Sequence, residues 1–246
     1  MKEIITIISR KGGTGKTTTA QSIAAALKKK GATTLLIDLD AQRNLTAATG
    51  AKFTGYNITH LLEGSAPVKQ AIQHTRNGDI IAASQFLAAA DLVLTSDKEL
   101  KRAIDPIISE YDYIIIDTPP NYGKLTSNAL TASTSAIITA QAATFSLQGL
   151  KEVIAIVSQI NQINPGLKLR GVLITNYSGR SNKVKQLYED LKAAALDLGT
   201  EVLEPPIRAT DKVTEAQAEQ LNLIDYAPKS TAAKCYIEIA NIILKW

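Results

Sequence analysis

"SRKGGTGKTTTAQ", residues 9–21, decides how the rest of the chain is read. The apolar run EIITII (3–8) precedes it. Ala20, Ile23, Ala24 and Leu27 follow at helical spacing, with Gly31 where a helix would end. A glycine-rich turn between a strand and a helix directs successive backbone N–H groups inward. The helix N-terminus adds its dipole, so the segment attracts phosphate oxygens. The usual spacing is G-x-x-x-x-G-K-[ST]. Gly15, Lys16 and Thr17 supply its second half. Arg10 replaces the first glycine, and an additional lysine, Lys11, stands ahead of Gly12, Gly13 and Thr14. Lys16 is placed to meet the β- and γ-phosphates of a nucleotide, and the Thr17 hydroxyl to ligate Mg²⁺.

Outward from the loop, short apolar runs alternate with helical patterns. TTLLIDLD (33–40), DIIAA (79–83), YDYIIIDTPP (111–120), SAIITA (135–140) and RGVLITN (170–176) read as strands. Leu147, Leu150, Val153, Ile154 and Val157 mark a helix, and YIEIANIIL (236–244) reads as another. Residues 41–78 are the least regular and read as helical with loops. Strands that are apolar throughout belong in a sheet covered on both faces, and strands separated by helices imply parallel pairing. The expected fold is therefore α/β: one doubly wound, mostly parallel sheet with helices on both faces, with residues 1–246 as a single domain. In such sheets ligands sit at the carboxyl ends of the strands. Asp117 ends YIIID, and Asp38 and Asp40 end LLIDLD. Asp117 is the acid expected to reach Mg²⁺. Asp38 and Asp40 share a face if the strand persists that far.

Composition sets limits. Hydrophobic residues make up 45% and charged residues 20%, a globular mixture. A single cysteine, Cys235, excludes an intramolecular disulfide and a cysteine-based metal cluster within one chain. No apolar run reaches membrane-spanning length. Net charge is only +4, but Lys168, Arg170, Arg180, Lys183 and Lys185 fall in a stretch without an acid. That stretch reads either as a solvated face or as a surface for polyanions. His60 and His74 lack partners at metal or triad spacing and read as structural.

KGGTGKT (11–17) is the deviant Walker A signature of the ParA/MinD class of P-loop ATPases. DLDAQRNLT (38–46) resembles the DxDPQGNxT segment of its ParA branch, with Ala41 for proline and Arg43 for glycine. YDYIIIDTPPNYGKLTSNAL (111–130) resembles its Walker B and switch segment. GVLITNYSGRSN (171–182) and KVTEA (212–216) resemble later blocks. The resemblance implies an ATPase using ATP and Mg²⁺. It implies a homodimer formed on ATP binding, in which Lys11 crosses to the partner's nucleotide and joins Lys16 in catalysis. A trans-acting cation of this kind is worth about 10³–10⁵ in rate in other nucleotidases. Asp40 would position the attacking water, Asp38 would support Mg²⁺ through its water shell, and Thr18 would meet the α-phosphate. Asn176 and the segment Pro206 to Arg208 would hold adenine, although PPIRATDK departs from the family's IPRNVR.

The resemblance further implies sequence-independent binding of double-stranded DNA through Arg180 and Lys212, with Lys183, Lys185 and Lys229 nearby. It implies a ParB-like or other centromere-binding adaptor and a cytoplasmic, nucleoid-associated location. No helix-turn-helix precedes the loop, as in the short form of the family. A MinD-like membrane switch is the alternative, but YIEIANIILKW offers few basic residues for an amphipathic membrane helix. An electron carrier of the same superfamily would need two cysteines per subunit, and a related tyrosine kinase a terminal tyrosine cluster. Neither is present in the sequence.

Overall fold

Every residue of β1 (Glu3–Ile8) is buried, which is why its sequence is apolar rather than alternating. Ile5 and Ile7 point into one layer of helices, and Ile4 and Ile8 into the other. The computed structural model describes residues 3–142 and 146–246. Its other strands are β2 (Thr34–Asp38), β3 (Ile72–Thr75), β4 (Gly78–Ile81), β5 (Tyr113–Asp117), β6 (Ser135–Ala140), β7 (Lys168–Ile174) and β8 (Val202–Leu203). They form one sheet in the order β3-β4-β2-β5-β1-β6-β7-β8, parallel except for the β3–β4 pair.

The helices are α1 (Lys16–Lys29), α2 (Asn44–Thr49), α3 (Ile58–Leu62), α4 (Val68–Ala71), α5 (Leu87–Val93), α6 (Glu99–Ile104), α7 (Lys124–Ala132), α8 (Leu147–Ile160), α9 (Asn182–Asp197), α10 (Lys212–Ala218), α11 (Leu223–Tyr226) and α12 (Thr231–Ile243). On one face α1 lies against α12, and Ile23 and Leu27 meet Tyr236, Ile239 and Ile243. On the other face, α3, α6 and α7 cover β2 and β5, while α8 and α9 cover β6 and β7. Each fully buried leucine or isoleucine in these layers contributes about 1.5–3 kcal/mol.

The structure corrects several boundaries. The second strand stops at Asp38, so Asp40 lies in the loop beyond it and the shared-face expectation fails. The irregular stretch 41–78 holds helices, as expected, and also β3, which pairs antiparallel with β4 across a two-residue turn. His74 on that hairpin meets the Asp79 carboxylate of the paired strand at 2.7 Å. Arg170 is no part of a solvated face, because it pairs with buried Glu3 at 2.6 Å. Trp246 is partly buried against the core, with the Arg170 guanidinium 4.7 Å above its ring.

Candidate active site

The loop after β1 is held from the carboxyl ends of β6 and β7. Gln141 Nε2 donates to the Gly13 carbonyl at 2.7 Å, and Thr175 Oγ1 donates to the Thr14 carbonyl at 2.7 Å. The hydroxyls of Thr14 and Thr139 meet at 3.1 Å. Gly13 and Gly15 adopt φ of 74° and 80°, the left-handed region that glycine enters without steric cost. Gly15 caps α1, whose first N–H groups have no intrahelical partner.

Inside this cradle Lys16 is buried, and desolvation lowers its pKa against the opposing pull of Asp117 and Asp40. Thr17 Oγ1 donates to Asp117 Oδ2 at 2.6 Å. Asp117 is register partner to Asp38, so two buried carboxylates lie side by side. Burial, then Asp38, raises the Asp117 pKa to about 8, despite the Thr17 hydrogen bond and Lys16. Its Oδ1 is buried with no hydrogen-bond partner among the described residues. A buried carboxylate oxygen left open beside a threonine hydroxyl and a second acid fits an oxygen-seeking divalent cation. Thr17 and Asp117 are the residues suited to hold Mg²⁺, which when bound would neutralise phosphate charge.

Asp38 has a different set of contacts. Its Oδ2 accepts from the Thr46 N–H at 2.8 Å and the Thr46 hydroxyl at 2.7 Å, and its Oδ1 from the Asp40 N–H at 3.1 Å. Burial raises its pKa to about 6, and these bonds oppose the rise. Asp38 thereby fixes both ends of the segment 40–46. Asp40, half-buried, lines a cavity of about 690 Å³ with Lys16 and Thr17, and its Oδ1 accepts from the Gln42 N–H at 2.9 Å. Arg43, at the position where glycine was expected, nevertheless takes φ of 60° and stacks 4.7 Å over Phe53.

A second cavity of about 210 Å³ adjoins the first. Asn176, Ile207, Arg208 and Tyr236 line it, whereas Pro206 does not. Asn176 itself sits at φ of 52°. Gly13, Gly15 and Thr18 line both cavities, so Thr18 stands between them. The far wall of the first cavity comes from Gln217 and Gln220, which sequence reading missed. Neutral carboxamides carry no charge signal. The only clue was that Gln217 follows KVTEA directly and Gln220 lies three residues further on.

A family model described as an AAA domain matches residues 2–169. The chain is 36% identical over 250 residues to the sporulation initiation inhibitor protein Soj of Bacillus subtilis, covering 98% of both chains. It is 33% identical to the chromosome partitioning protein ParA of Myxococcus xanthus, covering 98% of this chain and 88% of that one. The chain belongs to the ParA/MinD class of P-loop ATPases. Among solved structures, cobyrinic acid a,c-diamide synthase from Mycobacterium smegmatis with bound ADP and magnesium superposes with a TM-score of 0.87 at 32% identity. That match covers 100% of this chain and 95% of the other. The cell division ATPase MinD of Pyrococcus furiosus gives 0.82 at 25%, covering 100% and 99%. As a ParA/MinD-class ATPase the chain uses ATP and Mg²⁺, and the fold expectation is met.

The remaining predicted residues lie apart from this centre. Lys11 is exposed and makes no ion pair among the described residues, while its neighbour Arg10 pairs with Glu152 at 3.2 Å. Arg180, Lys183 and Lys185 are exposed around the start of α9. Lys212 is engaged by Glu215 at 2.7 Å, and Glu215 also accepts from the Tyr226 hydroxyl. Lys229 is exposed between α11 and α12.

Proposed function

We propose that this ATPase, with residues 1–246 acting as one unit, is an ATP-gated dimer that holds DNA without regard to sequence. It partitions a plasmid, chromosome or mobile element together with a centromere-binding adaptor. The observation that carries the reading is Lys11. It is exposed on the phosphate loop with no acid paired to it among the described residues, while Lys16 is the buried lysine of the cavity. One lysine leaves a closed triphosphate site under-neutralised. A lysine from a second copy completes it, so dimerisation follows the presence of the γ-phosphate. Asp40, at the rim of the same cavity, is the residue proposed to orient the attacking water.

Arg180, Lys183 and Lys185 supply the proposed DNA contacts, and Lys212 joins them once its Glu215 pair opens. Each contacted phosphate adds about −0.9 to the slope of log K against log salt, so doubling the patch by dimerisation makes DNA affinity depend on ATP. The proposed location is accordingly the nucleoid, in the cytoplasm. The MinD-like membrane alternative is disfavoured because the apolar residues of α12 are spent on α1: Tyr236, Ile239, Ala240 and Ile243 are all buried. No helix among the described residues is long and apolar enough to cross a membrane.

The test is a DNA titration with ATP, with ADP and without nucleotide, at two salt concentrations. Tight binding only with ATP, weakening steeply with salt, is expected. Equal binding in all three states would remove the switch, and flotation with liposomes in place of DNA binding would favour the membrane reading.

A further inference from the structure

Thr18 occupies the wall between the two cavities, and its hydroxyl is not left to solvent alone. Gln217 Nε2, from α10, approaches Thr18 Oγ1 at 3.5 Å, the long end of hydrogen-bond range. Gln217 itself lines the larger cavity, and Val213 and Thr214, one turn earlier on the same helix, line the smaller one. α10 therefore borders both cavities across which an extended nucleotide would lie, with adenine in one and phosphates in the other.

We infer that Gln217 is a nucleotide-positioning residue that sets the direction of the Thr18 hydroxyl. A hydroxyl has a single proton to donate and can also accept, whereas a phosphate oxygen only accepts. When Gln217 donates to Thr18 Oγ1, the Thr18 proton is turned away from α10 and is free for a phosphate oxygen passing between the cavities. An acceptor in place of the Gln217 N–H would draw that proton back toward α10, and the hydroxyl would present lone pairs to the phosphate. The side chain at this position must therefore donate to the hydroxyl and not accept from it. This inference rests on the nucleotide lying across both cavities.

The experiment compares Gln217→Ala and Gln217→Glu with the parent chain, each alone and combined with Thr18→Ala. Binding of ADP with Mg²⁺ is measured by titration calorimetry, and folding is checked by thermal melting. Removing the donor is expected to weaken ADP about 2–10-fold, the range for one hydrogen bond. The nearly isosteric glutamate should be worse than alanine, by a further several-fold. In the Thr18→Ala background the alanine substitution should cost nothing, because the hydroxyl it orients is gone. In steady state, Gln217→Ala should raise KM more than it lowers kcat. Unchanged affinity in Gln217→Glu, or losses from Gln217→Ala and Thr18→Ala that simply add, would overturn the inference. A Lys16→Ala chain that still bound ADP would instead overturn the placement of the phosphates, so the two failures are distinguishable.

Discussion

The two ends of the sheet treat buried charge in opposite ways. At the amino end, Glu3 of β1 meets the Arg170 guanidinium at 2.6 Å, and Ser135 and Thr134 donate to its other oxygen. Arg170 also donates to Ser135 at 2.9 Å and lies over Trp246, so this charge is answered within the chain. At the carboxyl end of the same strands, Asp117 keeps a buried oxygen without a partner among the described residues, and Lys16 is held in a desolvated place. Among the described residues the non-glycine positive-φ positions are Arg43, Asn176 and Gln220. Asn176 and Gln220 line the cavities, and Arg43 lies between the lining residues Gln42 and Asn44. Strain of this kind persists where surrounding structure over-determines it, commonly at functional sites. One end is finished by folding; the other is left for a guest to finish.

Substitutions at each end can break that contrast. Lys16→Ala should produce the largest effect. ATP affinity by calorimetry should fall on the order of 100-fold or more, with the melting temperature little changed. Arg170→Ala should do the reverse. It strands Glu3 without its partner and should destabilise the fold by about 3 kcal/mol in urea titration, with ADP affinity preserved in the surviving folded fraction.

Asp117→Asn sharpens the contrast through pH. The ordinary carboxylate value of 3.8 is raised to about 8 here, so between those values the folded chain keeps a proton that the unfolded chain releases. The contribution of Asp117 to the stability of the nucleotide-free, magnesium-free protein therefore falls as pH rises from about 4 to 8. The asparagine variant should lose this slope in melting experiments, and should also lose the magnesium dependence of ATP binding. Arg43→Gly should have the smallest effect. It relieves a left-handed arginine but forfeits the stack on Phe53, and these opposing changes are each about 1 kcal/mol, so stability by urea titration should move by less than that.

The buried strands and the phosphate loop were legible because both announce themselves in one dimension, by apolar runs and by glycine spacing. What stayed hidden depended on tertiary contacts. IQHT (72–75) carries half-buried polar residues on an edge, so β3 has no apolar run to reveal it. β8 is two residues long. The end of β2 at Asp38 follows from Thr46 reaching back to that carboxylate, which no local pattern encodes. Thr175, Tyr236, Gln217 and Gln220 reach the site from distant segments, and only the fold brings them beside residues 12–18. Within the expected segment Pro206 to Arg208, Ile207 and Arg208 line the smaller cavity and Pro206 does not.

The Thr19 hydroxyl on α1 meets the Tyr236 hydroxyl on α12 at 3.1 Å, and Tyr236 forms part of the smaller cavity. The helix that opens on the phosphate loop is thus tied to a residue 217 positions further along the chain. A ribosome-bound chain that has not yet released Tyr236 carries the phosphate cradle without one wall of the chamber beside it. Such a nascent chain lacks the Tyr236 side of the smaller cavity, so the chamber closes only after residue 236 has left the ribosome.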